Sequence, residues 1–359
     1  MHHANYKILF LGETYRADAQ TWIHGIEVAS GVRIETDEVA FSKSRVIRAI
    51  RFLNLIFKYA FNQSRYNYDF VLAERSISYG LLSMFVNARV RIVAQQGATD
   101  LFPGKWYHRL YKSAIQRYVY RKSDLLHAWG TNMAQHMKSV GVPIDKIIVL
   151  PKGIDLSLFT FVGLNHKPQG YFNLVVTRSL EPYYGHANII MAFKELVLKG
   201  IPIELHIVGS GSIEHRLKDL CESLDLTEKV KFHGRLNAHQ LLPLLQDSHL
   251  YVSAPSTEGF SASLIEAMAC GCLPVVSDLP ANRALIQHGT NGFLFTSHDP
   301  TSIVKSLSDA IDYFPQMSLA VDSNRRYVES QANIKTNMEH FWKRYLDVLN
   351  RKNIRNGLT

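Results

Sequence analysis

Cysteine is scarce in this chain, with only Cys221, Cys270 and Cys272 among 359 residues. Three thiols are too few, and an odd number, for a disulfide framework, and no secretory leader precedes the strand-like YKILFL at 6–11, so a reducing compartment is expected. Long apolar runs are also missing. Arg48, Arg51 and Lys58 interrupt the most apolar stretch, whereas a spanning helix needs roughly 18 apolar residues in a row, so the chain is not expected to cross a bilayer. No Asp-x-Asp pair occurs, and Cys270-x-Cys272 lacks the two further ligands zinc requires. No metal site is therefore expected, and the two thiols read as packing residues.

What is present is a globular composition: 47% apolar and 20% charged residues exclude disorder. At about 150 residues per domain the length predicts two domains. The net charge of +9 is unevenly placed. Residues 1–155 hold 21 basic and 12 acidic side chains, and the remainder holds 19 of each. Residues 43–122 alone carry 15 basic residues against Asp69, Glu74 and Asp100. A basic face of this kind attracts phosphate, nucleic acid or an anionic membrane.

Short apolar runs alternate with helical patterns along most of the chain. Strands are predicted at 6–11, 69–74, 90–95, 124–129 and 146–150, and again at 171–177, 203–209, 229–234, 249–254 and 273–277. Crossover-length segments separate them, the pattern of parallel sheets covered by helices. PKGIDLSLFTFVGLNHKPQG (151–170) breaks the rhythm with Pro, Gly and Asn and reads as the region between domains. The expected organisation is an N-terminal doubly wound domain at 1–155, a linker at 156–170, a second at 171–323, and C-terminal helices at 324–359 that could cross back to the first. In open parallel sheets ligands bind beyond the carboxyl ends of the strands, so the loops after the strands are the candidate site.

EGFSASLIEAMACGC (258–272) is the most informative stretch. Glu258 and Glu266 are eight apart, slightly over two helical turns, so a helix starting near Ser261 lets both carboxylates address one ligand at its N-terminus. Backbone N–H groups at Ser261 and Ala262 would be free to hold phosphate oxygens there. Spacing alone equally suits two unrelated surface glutamates.

The longer run SAPSTEGFSASLIEAMACGCLPVVSD (253–278) resembles the signature of the retaining glycosyltransferases of family 4. LPKGIDLSLF (150–159), LHIVGSGS (205–212), VKFHGRL (230–236) and NGFLF (291–295) resemble that family's other segments in the right order. The resemblance implies an α/β GT-B fold, two Rossmann-like domains facing across a cleft, with the acceptor in the first and a nucleotide sugar in the second. Glu258 would bind hydroxyls of the donor sugar and Glu266 those of the ribose, a task suited to carboxylates that accept up to about four hydrogen bonds. Gly209, Gly211, Arg235 and Leu236 would line the nucleotide, with Gly259, Phe260, Ser261 and Ala262 beside the donor and Gly12 allowing close approach after the first strand. Glu258 and Arg178 are the catalytic candidates.

In TRSLEPYYGH (177–186) Arg178 stands where the family places an arginine on the donor diphosphate, but Tyr184 stands where it places a lysine. A phenol brings no charge, so leaving-group stabilisation would rest on Arg178, helix N-termini and, failing a purely structural role, His186. In AQQGATDLFP (94–103) the family's histidine before glycine is Gln96, which hydrogen-bonds without titrating; Gln96 and Asp100 are the acceptor-side candidates. The resemblance further implies retention at the anomeric carbon, with no protein nucleophile and the leaving phosphate accepting the acceptor's proton.

KSRVIRAIRFLNLIFKYAF (43–61) predicts a helix whose stripe Val46, Ile50, Leu53, Phe57 and Ala60 faces the core, with Arg45, Arg48, Arg51 and Lys58 opposite and Phe52, Leu55 and Ile56 outside the stripe. KWYHRLYKSAIQRYVYRK (105–122) repeats the mixture of cations and aromatics. Two ordinary amphipathic helices would explain both; so would helices resting on an anionic lipid surface. The function expected is transfer of a sugar from a nucleotide sugar, a UDP-sugar rather than GDP-mannose, to a lipid-linked or envelope polysaccharide acceptor, at the inner face of the cytoplasmic membrane. No cofactor, no divalent metal and no nucleic acid are expected. The alternatives are a non-catalytic nucleotide-sugar-binding partner subunit, or a basic nucleic-acid-binding protein.

Overall fold

The computed structural model describes residues 6–95, 106–297, 299–355 and Gly357. The chain divides into two units: Met1–Lys152 together with Ile334–Thr359, and Gly153–Asn333.

In the first unit the elements run β1 (Ile8–Leu11), α1 (Ala17–Ser30), β2 (Glu35–Asp37), α2 (Arg45–Phe61), β3 (Asn67–Glu74), α3 (Gly80–Ser83), β4 (Asn87–Gln95), α4 (Trp106–Lys122), β5 (Leu125–Ala128), α5 (Thr131–Ser139) and β6 (Ile147–Val149). The six strands form one parallel sheet in the order β2-β1-β3-β4-β5-β6, with Leu9 paired to both Glu35 and Val71. Every residue of β1 and β5 is buried. That explains why β1 is a continuous apolar run rather than an alternating one, and why β5 is apolar except for His127: both faces of the sheet are covered. β2 has the sequence Glu-Thr-Asp on an edge, and no apolar pattern announces it.

The second unit contains β7 (Phe172–Thr177), α6 (His186–Leu198), β8 (Ile203–Val208), α7 (Glu214–Ser223), β9 (Val230–Gly234), α8 (Ala238–Asp247), β10 (Leu250–Ser253), α9 (Ala262–Ala269), β11 (Leu273–Ser277), α10 (Pro280–Arg283), β12 (Phe293–Phe295), α11 (Pro300–Tyr313) and α12 (Ser318–Gln331). Its parallel sheet has the order β12-β11-β10-β7-β8-β9. The direction of winding reverses between β7 and β10 here, and between β1 and β3 in the first sheet. Such switch points leave a crevice at the strand ends.

Two boundaries differ from the sequence expectation. Residues 156–170 are no free linker: Phe159 and Leu164 are buried in the second unit, and Lys167 Nζ donates to the carbonyls of Leu245, Gln246 and Cys270. The C-terminal helices split. α12 stays with the second unit, and α13 (Ile334–Arg355) belongs to the first. Met338, Phe341, Trp342 and Tyr345 recur at helical spacing on its buried face. Tyr345 Oη lies 2.8 Å from His127 Nε2 and accepts from Trp22 Nε1 at 3.2 Å.

The third difference is α2, whose expected core stripe faces outward. Val46, Ile50, Leu53 and Phe57 are 51–68% exposed, while Phe52, Leu55 and Ile56 are half-buried and Tyr59 is buried. The sequence gives two apolar faces on one helix, and the sheet takes the face containing Tyr59. Tyr59 Oη donates to Oδ2 of Asp37, the last residue of the edge strand β2.

Candidate active site

The second unit's switch point gathers most of the predicted site residues. Arg178 follows β7, and Glu258 and Ser261 follow β10. The guanidinium of Arg178 donates to the Glu258 carboxylate and to Ser261 Oγ, and its Nε lies 3.4 Å from Ser253 Oγ. Side-chain exposure of Arg178 and Glu258 is only 12% and 10%, so this is a largely desolvated ion pair. Burial works against the arginine's charge, but Tyr251 and Glu258 more than offset it and its pKa is raised. Tyr184 covers the guanidinium, its ring centroid 5.3 Å from the carbon atom.

Ser261 is the N-cap of α9, accepting from the N–H of Leu264 at 3.2 Å. The helix therefore starts where the sequence places it, and the N–H groups of Ala262 and Ser263 are first-turn donors without a helical acceptor. Glu258 Oε1 accepts from the N–H of Gly259 at 3.1 Å, which, with Phe260, completes the loop into α9. Glu266 lies one turn further along. Burial raises its carboxyl to about 7, with the charge of Arg178 opposing.

Gly209 and Gly211 act through the chain itself. A Cβ on Gly209 would sit 2.1 Å from the carbonyl oxygen of Arg178, and one on Gly211 would sit 2.2 Å from that of Leu180. Their absence lets the loop after β8 lie flat against the Arg178 loop, where Leu180 N donates to Ser210 O at 3.1 Å. Arg235 follows β9 and donates from Nε to Ser210 Oγ at 2.7 Å; Leu236 beside it is half-buried.

His186 opens α6 and is buried. Burial, with the Arg178 charge adding to it, lowers its pKa to about 4. The ring is neutral near pH 7 and cannot supply charge for a leaving phosphate. Gly12 lies in the first unit, and the space a Cβ would need is taken by Phe10 and by Glu74, whose Oε2 would be 2.7 Å away. Gln96 and Asp100 lie outside the described residues. Cys270 and Cys272 are buried, and Cys272 Sγ donates to Leu245 O at 3.1 Å. Among the described residues no cluster of three or more metal-ligating side chains occurs.

Sequence reasoning misses the hydroxyls of Ser253 and Ser261 as partners of Arg178; only the strand-end and N-cap positions of these serines carried a signal. It also passes over Glu74 and Lys152 in the first unit. Lys152 Nζ donates to Asp18 O at 2.6 Å and lies 5.0 Å from the Trp129 ring centroid, and burial lowers its pKa to about 8. Glu74 could have been suspected, as the carboxylate that ends the apolar strand DFVLAE.

Residues 164–318 match the family described as Glycosyl transferases group 1. WcaL of Salmonella typhimurium, provisionally named a colanic acid biosynthesis glycosyltransferase, is 28% identical over 198 residues, 53% of this chain and 48% of its own. Phosphatidyl-myo-inositol mannosyltransferase of Mycolicibacterium smegmatis is 29% identical over 189 residues, 52% of this chain and 46% of its own. The chain spans about half the length of these curated relatives. Among solved structures, HepE of Anabaena in complex with UDP and glucose superposes with a TM-score of 0.75 at 15% identity, covering 96% of this chain and 100% of that one. Sucrose-phosphate synthase from Thermosynechococcus elongatus gives 0.76 at 14% identity, covering 96% and 100%. The fold is the two-domain α/β GT-B fold.

Proposed function

We infer, from a second unit that matches Glycosyl transferases group 1 on a GT-B fold, that the protein is a glycosyltransferase using a nucleotide-sugar donor. The carrying observation is the Arg178–Glu258 pair, set at the β7/β10 switch point beneath the first turn of α9. A diphosphate reaching the site competes with Glu258 for the guanidinium fork, which binds phosphate oxygens in a bidentate way. Glu258 is then released to accept from sugar hydroxyls. Glu266 takes the ribose, and the first-turn N–H groups of α9 face developing negative charge on the leaving phosphate. Transfer proceeds with retention, without a metal and without a protein nucleophile; the departing phosphate accepts the proton of the acceptor hydroxyl. UDP-sugars are favoured over GDP-mannose.

The acceptor is a lipid-linked or envelope glycan, met at an anionic membrane surface. Exposed apolar residues of α2 support this, with Leu110, Tyr111 and Tyr118 of α4; Tyr120, in contrast, is buried and donates to Gln95 Oε1. Among the described residues no helix is long and apolar enough to cross a membrane. The non-catalytic alternative draws on the two departures from the family pattern, Tyr184 and Gln96.

A nucleotide-sugar panel tests the reading, because a ligand stabilises in proportion to RT ln(1 + [L]/Kd). A UDP-sugar should raise the melting temperature and be turned over, with turnover lost in Glu258→Ala and Arg178→Ala. Binding without turnover would favour the partner-subunit reading; neither effect would sink both.

A further inference from the structure

The first unit has its own crevice at its own switch point, and the site just described makes no use of it. A cavity of about 430 Å³ opens between the loop after β1, the loop after β3 and the N-terminal half of α2. Glu13 and Arg75 stand at its two strand ends and pair through both guanidinium nitrogens, at 3.1 and 2.6 Å. Arg75 holds a φ of 59° at the head of a π-helical turn, Arg75–Tyr79. Left-handed backbone is disfavoured for a non-glycine residue and persists where the surroundings enforce it.

Arg45 and Arg48 line the same cavity. Among the described residues, the side chain of neither makes a hydrogen bond or ion pair. Glu13, the cavity's one carboxylate, is already held by Arg75. Two uncompensated guanidinium groups therefore face the opening. The rest of the lining is apolar where it matters: Phe52 and Ala49 lie on the same face of α2 as the arginines, and Phe41 arches over the edge, 73% exposed. From Phe41 the apolar surface continues along the outer stripe of α2, about a third of a turn from the cavity face. The C-terminal half of that inner face is anchored through buried Tyr59; the N-terminal half lines the cavity.

We propose that this crevice binds a phosphate group carried on an apolar chain, with Arg45 and Arg48 on the phosphate and Phe41 and Phe52 against the first carbons of the chain. Two-armed guanidinium contact suits a phosphoryl group better than a lone carboxylate or hydroxyl. Identifying that amphiphile as the sugar acceptor rests on the transferase reading; binding does not.

Calorimetry of the full chain tests it with three probes: dihexanoyl phosphatidate, inorganic phosphate and hexyl glucoside. The phosphatidate should bind about tenfold or more tightly than either other probe, and Arg45→Gln/Arg48→Gln should weaken it by about tenfold or more. Ala49→Trp, which fills the cavity while keeping both cations, should weaken it likewise. Both variants should keep the UDP affinity of the parent, which shows that the second unit is intact. Unchanged phosphatidate affinity in either variant would overturn the assignment. So would inorganic phosphate or hexyl glucoside binding as tightly, since the site would then read the bare anion or the chain alone. If UDP fails to bind the parent while phosphatidate behaves as expected, the transferase reading falls and the crevice stands.

Discussion

The guanidinium carbon of Arg178 lies 5.3 Å from the ring centroid of Tyr184, and that ring is itself 4.4 Å from the ring of Tyr183. Where the resembling family carries a second cation, this chain presents an aromatic face to the first. A ring quadrupole over a partly desolvated arginine contributes about 1 to 2 kcal/mol, and it holds the fork without competing for phosphate. Tyr184→Phe should therefore leave UDP-sugar affinity within about twofold of the parent, while Tyr184→Ala should lower it roughly fivefold to twentyfold. Calorimetry of the two variants separates the ring from the hydroxyl; an equal loss in both would transfer the role to the hydroxyl.

Because Arg178 and Glu258 are both nearly buried, removing one strands the other. Glu258→Ala and Arg178→Ala should each cost about 3 kcal/mol or more of stability in the ligand-free protein, by analogy with other broken buried pairs. The double variant should be more stable than the sum of the two losses predicts. Urea denaturation completes the cycle, and strict additivity would mean that the two side chains do not interact.

Glu266 gives the site a pH signature. Its carboxyl titrates at about 7 in the folded chain, against 4.5 for an ordinary glutamate. A raised folded value means that the folded protein holds the proton longer than the unfolded chain. The group's stabilising contribution is therefore complete below pH 4.5 and is lost as the pH rises through 7. Glu266→Gln should remove that slope, read as the difference in unfolding midpoint between pH 5 and pH 8. UDP affinity should rise with pH over 6 to 8 in the parent, as the carboxylate becomes a pure acceptor for ribose hydroxyls, and should be flat in the variant.

Tyr345→Phe tests how α13 is fixed to the first unit. It removes the hydroxyl shared by Trp22 Nε1 and His127 Nε2 and leaves buried polar atoms unpaired, at a cost of about 1 to 3 kcal/mol. UDP affinity should not change, because the second unit is untouched. Thermal unfolding with and without UDP reports both.

Much of this was legible in the sequence, for a physical reason: a strand covered on both faces must be apolar throughout, as ILFL is. The clustering of Arg178, Glu258 and Glu266 was legible from their places after or flanking such strands. Glu-Thr-Asp of β2 was not, since a polar three-residue edge is held by its neighbour rather than by its own pattern. α2 was misjudged because Phe52, Leu55 and Ile56 compete with Val46, Ile50, Leu53 and Phe57 for the role of inner face, and only the sheet decides. The closeness of Glu74 to Gly12 was hidden for a similar reason: a missing Cβ leaves room, and the sequence does not say what stands beside it.

α13 has a consequence for how the chain comes off the ribosome. The first unit is interrupted by the whole of the second, so Phe341, Trp342 and Tyr345, which cover Phe70 and His127, are synthesised only after it. At about 5 to 20 residues per second, the sheet of the first unit waits on the order of ten to forty seconds for its cover. During that interval the faces of Phe70 and His127 that α13 covers are without that cover.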